Sequence, residues 1–152
     1  MERLIFHIDV NSACLSWTAV EELKNGGKVD LRQIPAIIGG DQKSRHGVVL
    51  AKSPSAKKYG IRTGEPVVNA FRKCPNLIMR APDHKMYHEK SQRLMEYLRS
   101  FTEEIEPVSV DECYLDYTSI ASRFSSPEEG AAYIRNYIYS HFGFTVNVGI
   151  SS

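Results

Sequence analysis

Apolar residues near the N-terminus predict a buried strand followed by a helix. Residues 4–10 form an almost continuous apolar run that is interrupted by an acid at Asp9. Asn11 and Ser12 are residue types that cap helices, and apolar residues recur at helical spacing after them, at Leu15, Ala19 and Leu23. Glycines at positions 26 and 27 predict the end of this helix.

The next fifty residues have a broken pattern. Short apolar segments predict two strands, at 34–38 and 48–50, joined by a polar turn at 42–46. Residues 52–73 mix short helical patches with two prolines and two glycines, Pro54, Gly60, Gly64 and Pro66. This pattern predicts a small subdomain of irregular structure.

The pattern becomes regular again from Asp83 onwards. Apolar residues at helical spacing predict a long helix, carried by Tyr87, Leu94, Leu98 and Phe101. Alternation predicts one strand through Val108 and Val110 and another through Leu115 and Tyr117. A second helix should begin at Ser126, with Pro127 in its first turn and Glu129 reaching back to the cap. A last strand is predicted at 146–150.

The order of these elements predicts the fold class. Without the segment from Asn11 to about Pro82, the chain reads strand, helix, strand, strand, helix, strand, which is the ferredoxin-like order. We therefore predict an α+β fold with an insertion between the first strand and the first helix of a ferredoxin-like core. In this topology the first and third strands are antiparallel neighbours, so the end of one lies beside the start of the other.

Three carboxylates should meet at that point. Asp9 ends the first strand, and Asp111 and Glu112 occupy the turn that enters the third. Converging carboxylates repel one another, and oxygen ligands of this kind suit Mg²⁺ or Mn²⁺. The sequence thus predicts a site for two divalent ions. The alternative is that Asp9 caps a helix and the other two acids form a polar hairpin tip. Asp116, about 13 Å further along the strand, should be structural.

Composition limits the size of the predicted fold and the cellular environment in which the chain is expected. Its 152 residues are 42% hydrophobic, which suffices for the core of one compact domain with a modest insertion. No apolar run is long enough to span a membrane, and the N-terminus does not resemble a secretory signal. Three cysteines without a Cys-x-x-Cys pair favour a reducing cytoplasmic setting over disulfides or zinc.

Charge is segregated, although the net charge is only +1. Residues 41–73 carry eight basic side chains and two acids, a net charge of +6. The basic residues are Lys43, Arg45, Lys52, Lys57, Lys58, Arg62, Arg72 and Lys73. Such a segment is either a solvated face or a surface that meets phosphates.

Two motifs resemble those of a known family. Residues 6–12 (FHIDVNS) and 108–116 (VSVDECYLD) are similar to the acidic motifs of Y-family translesion DNA polymerases, of the bacterial DNA polymerase IV type. Segments 34–40, 56–61, 73–77 and 146–151 agree with this resemblance, which covers essentially the whole chain. It implies a right-hand polymerase with a palm at 1–12 and 83–152 and small fingers at 13–82. The thumb and little finger would be absent.

The resemblance also implies roles for individual residues. The metal ligands and catalytic groups would be Asp9, Asp111 and Glu112, and the main-chain carbonyl of Val10 would be a further ligand. Two Mg²⁺ ions would be bound, with Mn²⁺ as a substitute. Contacts to the incoming triphosphate would come from the backbone N–H groups of Ser12, Ala13 and Cys14 and from Lys57. Helix N-termini suit such a contact.

Four positions depart from the family pattern. Asn11 stands where many members have a second Asp, Pro54 replaces a common Tyr that contacts the triphosphate, and Lys57 replaces a frequent Arg. Cys14 occupies the place of the Phe or Tyr that packs against the sugar. As a sugar gate, the small Cys14 would discriminate weakly against ribonucleotides, unless neighbouring bulk such as Trp17 fills the space.

The function implied is error-prone, DNA-templated DNA synthesis in lesion bypass, on primer-template DNA with dNTPs. The setting would be the bacterial cytoplasm, at the nucleoid, and a sliding clamp would bind through regions beyond Ser152. Because those regions are absent, the 152-residue chain is expected to show little or no primer extension alone. Two alternatives stay open: a palm-fold nucleotidyl cyclase, and a catalytically idle palm that binds nucleic acid or a partner.

Overall fold

The fold of residues 3–40 and 47–152 is described by a computed structural model. The polar turn predicted at 42–46 lies outside these residues. The described chain forms two compact units, one comprising the chain up to Asn11 together with Lys85–Ser152, the other comprising Ser12–His84. The division into palm and fingers stays a prediction.

The first unit contains a four-stranded sheet and two long helices. Its elements are β1 (Ile5–Val10), α4 (His84–Arg99), β5 (Ile105–Ser109), β6 (Glu112–Asp116), α5 (Pro127–Phe142) and β7 (Val146–Ser151). The strand order is β5-β6-β1-β7, and every neighbouring pair is antiparallel. This is the ferredoxin-like arrangement. The predicted α+β class is confirmed, and β1 and β6 are neighbours as the topology requires.

One face of this sheet forms the core of the first unit. Phe6, Ile8 and Val10 alternate along β1 and are buried, as are Cys113 and Leu115 on β6. Helices α4 and α5 contribute a buried apolar stripe each, from Leu94, Leu98, Ile134 and Ile138. Burying one such side chain contributes roughly 1.5–3 kcal/mol. The opposite residues of β1, His7 and Asp9, therefore lie on the outer face of the sheet.

The start of α5 follows the predicted pattern. The Ser126 hydroxyl accepts a hydrogen bond from the Glu129 N–H, and Pro127 occupies the first turn. The Glu129 carboxylate also reaches back, but it accepts from the N–H of Ser125, one residue before the predicted partner Ser126. The Ser126 hydroxyl thereby satisfies one of the N–H groups that lack an intrahelical partner at this helix end, that of Glu129.

The start of α1 (Ala13–Lys24) differs from the prediction. Ser12 adopts a left-handed backbone, with φ 44° and ψ 56°, and its side chain makes no capping hydrogen bond among the described residues. A Ser side chain caps a helix from an extended backbone, so the left-handed turn at Ser12 prevents it. The Asn11 amide donates to the Thr145 hydroxyl and accepts from Asn147. The Ser12 side chain therefore does not cap α1.

The second unit contains a three-stranded sheet and short helices. Its elements are α1, β2 (Ala36–Gly39), β3 (Val49–Lys52), α2 (Pro54–Lys58), α3 (Val67–Lys73) and β4 (Ile78–Arg80). Strand β2 pairs antiparallel with β3 and parallel with β4. The Ser53 hydroxyl caps α2 and also bonds to β2 at Ala36. In the described part of the chain no helix combines the length and apolar character needed to cross a membrane.

Candidate metal centre

Three carboxylates converge at one end of the four-stranded sheet. Asp9 lies directly opposite Glu112 across the β1–β6 pair. The N–H of Val10 donates to the carbonyl of Asp111 at 2.8 Å, which holds the turn before β6 against the end of β1. Asp9, Asp111 and Glu112 each offer a carboxylate oxygen, and these atoms all lie within 4.8 Å of one another. The predicted convergence is confirmed; the role of the residues as ligands stays a prediction.

The carboxylates perturb one another electrostatically. Partial burial raises the pKa of Asp9, and the negative charges of Asp111 and Glu112 raise it further, while His7 opposes the shift. All three carboxylates are half-buried. The ionised trio is therefore unfavourable on its own, and a cation between the three groups would relieve the repulsion.

Neighbouring polar side chains orient the trio. The Ser109 hydroxyl donates to one oxygen of Asp111 at 2.8 Å. The His7 ring, on the same face as Asp9, has its Nε2 atom 3.9 Å from a Glu112 oxygen. Neither contact was assigned a role from the sequence. The available signal was strand alternation, because Ser109 precedes Asp111 by two residues and His7 precedes Asp9 by two.

Asp116 is separate from the trio, as the sequence predicts. Its carboxylate accepts hydrogen bonds from the backbone N–H of Thr118 and from the Arg3 guanidinium, at 3.0 and 2.9 Å. The bonds from Thr118, followed by the bond from Arg3, lower the pKa of Asp116 to about 2. This acid ties the end of β6 to the segment before β1, which is a structural role.

The donor set fits hard divalent cations. Carboxylate oxygens are the ligands that Mg²⁺ and Mn²⁺ prefer, whereas a zinc site would use His or Cys ligands. Among the described residues, this trio is the one group of three His, Cys, Asp or Glu side chains whose ligand atoms come so close together. Val10, whose carbonyl is the further predicted ligand, follows Asp9 at the end of β1 and is buried.

The residues predicted to contact a triphosphate belong to the second unit. Ala13 and Cys14 begin α1, whose first turn contains no acid. Helix N-termini attract anions, and an acid there would compete with a phosphate. Lys57 is exposed in the last turn of α2. The Cys14 side chain packs against a buried apolar cluster that includes Leu15 and Leu31, and Trp17 is completely buried.

Sequence comparison finds relatives over the whole chain. A model of the impB/mucB/samB family matches residues 8–152. The chain is 53% identical over 152 residues to a DNA polymerase IV of Clostridium acetobutylicum, covering 100% of this chain and 38% of the relative. It is 36% identical over 151 residues to a DNA polymerase IV of Acetivibrio thermocellus, covering 99% and 36%. The chain thus spans less than two fifths of these curated relatives.

Structural comparison finds the same fold in solved polymerases. A Y-family DNA polymerase chimera of Dbh and Dpo4 matches with a TM-score of 0.78 and 26% identity, over 97% of this chain and 42% of the other. A post-insertion binary complex of Dbh DNA polymerase matches with a TM-score of 0.81 and 25% identity, over 97% and 42%. Both matches extend over nearly all of the chain.

Proposed function

Because the chain belongs to the impB/mucB/samB family of Y-family DNA polymerases, we propose that it supplies the catalytic centre of an error-prone, DNA-templated DNA polymerase. The single observation that carries this proposal is the convergence of Asp9, Asp111 and Glu112, with ligand oxygens within 4.8 Å. The substrates are primer-template DNA and dNTPs, and the reaction belongs to lesion bypass. The palm is residues 1–12 and 83–152, and the fingers are residues 13–82.

The carboxylates hold the metals in this proposal. Two Mg²⁺ ions, or Mn²⁺ in their place, would activate the primer hydroxyl and stabilise the leaving pyrophosphate. Asp9 faces Glu112 across the sheet, and the Val10–Asp111 backbone bond fixes the third carboxylate beside them. Ser109 holds one oxygen of Asp111, which leaves the other available as a ligand. The carbonyl of Val10 completes the proposed ligand set.

The incoming nucleotide contacts the second unit. Backbone N–H groups of Ser12, Ala13 and Cys14 bind the triphosphate, together with the exposed Lys57. Ser12 supports this assignment because a left-handed non-glycine residue is strained, and such strain is often kept where a backbone group must point at a ligand. Lys57 acts as a point charge, without the bidentate geometry of Arg.

A binding experiment on the chain itself tests the metal centre. We expect Mn²⁺, followed by calorimetry or by its paramagnetic signal, to bind more tightly when a dNTP is present. Asp111→Asn should weaken this binding about tenfold or more, while Asp83→Asn, an acid outside the trio, should leave it unchanged. Equal binding by both variants would contradict the proposed site.

Polymerase activity needs a second test. Residues 1–152 can replace the matching 152 residues of the Clostridium acetobutylicum relative, to which they are 53% identical. We expect the resulting chimera to extend a primer on a template, and we expect its Asp111→Asn variant to be inactive. Cyclisation of GTP without a template would instead favour a nucleotidyl cyclase, and binding of DNA without any turnover would favour an idle palm.

Cys14 is the proposed sugar gate. Its small side chain would leave room for a ribose 2′-hydroxyl, so discrimination between dNTPs and rNTPs should be weak. In the same chimera, Cys14→Phe should raise the dNTP preference by about tenfold or more, because a steric clash excludes the hydroxyl. Cys14→Ser is the size-matched control and should keep the original preference. Unchanged selectivity in Cys14→Phe would show that other residues fill the space.

A further inference from the structure

A glycine interrupts the outer face of β7 beside the metal centre. Gly149 lies directly opposite His7 across the β1–β7 pair and is exposed. Glycine inside a strand is destabilising, because it gains no side-chain packing and loses the most backbone entropy on folding. A strand glycine therefore often marks a place where another group approaches the backbone closely.

The fold of the described chain gives no reason for this glycine. Gly149 is not among the residues with a left-handed backbone. A Cβ atom added there would lie 3.9 Å from the Cβ and the carbonyl oxygen of His7, an ordinary van der Waals contact. Gly39 and Gly130 differ, because an added Cβ would collide with the Val48 carbonyl and with the Tyr117 ring, respectively. Gly149 thus leaves open a space that a side chain could occupy.

That space adjoins the carboxylates. Across the sheet, one row consists of Glu112, Asp9 and Asn147, and the next row consists of Tyr114, His7 and Gly149. Residues paired across strands share a face, and rows two residues apart are about 7 Å apart. The bare backbone of Gly149 therefore lies open on the outer face, one row from Asp9, and we call this open space the trough. His7 borders it on β1, and the His7 ring lies 5.1 Å from the ring of Tyr114 on the next strand.

We propose that Gly149 is a positioning residue on which the 3′-terminal nucleotide of the primer lies. The inference rests on the proposed function, because a primer whose 3′-hydroxyl is held at Asp9 and Glu112 must lay its sugar over an adjacent part of the sheet. A side chain at Gly149 would lift the nucleotide and move the hydroxyl out of line. Because Gly149 has no side chain, the sugar can approach the backbone of β7, with the His7 ring beside the sugar.

Substitutions at Gly149 test the proposal in the chimera with the Clostridium acetobutylicum relative. Gly149→Ala and Gly149→Val add a small and a larger group to the trough. We expect primer extension to fall, with kcat/KM on the order of a hundredfold lower for Gly149→Val, because a misplacement of about 1 Å can have that effect. Binding of Mn²⁺ with dNTP should not change. The melting temperature should stay the same or rise, since valine favours strands.

Ser151→Val is the matched control. Ser151 lies on the same strand and the same face, opposite Ile5, one row further from the carboxylates. The Ser151→Val substitution should reduce primer extension less than Gly149→Val does. The inference would be overturned if both substitutions reduced extension equally, or if Gly149→Val extended primers normally. A lowered melting temperature of Gly149→Val would also overturn it, because it would show that other protein groups occupy the trough. If the chimera without a substitution at Gly149 extends no primer, the proposed function itself fails.

Discussion

At the scale of single residues, two acids of the same sheet, Asp9 and Asp116, have opposite effects on the stability of the folded state. Asp9 has a raised pKa, because burial and two neighbouring carboxylates disfavour its charge. Asp116 has a lowered pKa, because Thr118 and Arg3 donate hydrogen bonds to its ionised form. A lowered carboxyl pKa stabilises the folded state at neutral pH, and a raised one destabilises it. The direction of the pKa shift thereby distinguishes Asp9, the proposed metal ligand, from Asp116, which has a structural role.

Replacing Asp9 should stabilise the metal-free chain. Above the raised pKa of Asp9 the folded state holds an unfavourable charge, so Asp9→Asn is expected to increase the melting temperature at pH 7 in the presence of a chelator. The same variant should lose the stabilisation by Mn²⁺, which for a single site at a hundred times its Kd is about 2.7 kcal/mol. Thermal unfolding with and without Mn²⁺ measures both effects. A lower melting temperature in chelator would contradict the electrostatic account of the trio.

Replacing Asp116 should have the opposite effect, with a defined dependence on pH. Asp116→Asn removes the charge that accepts from Arg3 and Thr118, and it should cost about 1–2 kcal/mol at pH 7. In the original chain this contribution is present above the ordinary carboxyl pKa near 4, and it is lost as pH falls towards about 2. Urea unfolding at several pH values should therefore show the two proteins converging at low pH. A constant difference down to pH 2 would refute this.

At the scale of elements, α5 carries a glycine that the packing requires. A Cβ atom at Gly130 would overlap the ring of Tyr117, which is completely buried and stacks on Phe6 with centroids 4.3 Å apart. Glycine has a helix propensity about 1 kcal/mol poorer than that of alanine, but at this position it leaves room for the Tyr117 ring. Tyr117 follows directly after β6, so the glycine helps to hold that strand.

Gly130→Ala should lower stability for this reason. Overpacking costs about 1–3 kcal/mol in a well-packed core, which exceeds the gain in helix propensity. The effect should be smaller when Tyr117→Phe removes the nearest atom, the phenolic oxygen. A double-mutant cycle by urea unfolding measures this coupling. Additive effects would show that Gly130 and Tyr117 do not constrain one another.

Elements with long periodic patterns could be predicted from the sequence, and short irregular ones could not. Helices α4 and α5 and the central strands have apolar periods that tertiary packing reinforces, and their order predicted the meeting of Asp9 with Asp111 and Glu112. Strand β4 has three half-buried residues and pairs in parallel with β2, so it has no local signal. The left-handed Ser12 was missed because the turn between β1 and α1 overrides its preference for capping.

At the scale of the whole molecule, the proposed ligands divide between the two units. Asp9, Asp111 and Glu112 belong to the first unit, whereas the N-terminus of α1 and Lys57 belong to the second. A ligand stabilises the segments that it binds against local opening. Metal alone and metal with nucleotide should therefore protect different parts of the chain.

Hydrogen exchange can resolve this difference. Mn²⁺ alone should slow amide exchange in β1 and β6, because opening either strand releases the ion, and it should leave α1 and α2 unchanged. Adding a dNTP should extend the protection to the first turn of α1 and to α2, if Ser12–Cys14 and Lys57 contact the triphosphate. In Lys57→Ala the protection of α2 should be lost while that of β1 persists. Protection of α2 by the metal alone would mean that the second unit responds to the metal centre without the nucleotide. The proposal that the first unit binds the metal and the second binds the triphosphate would then be wrong.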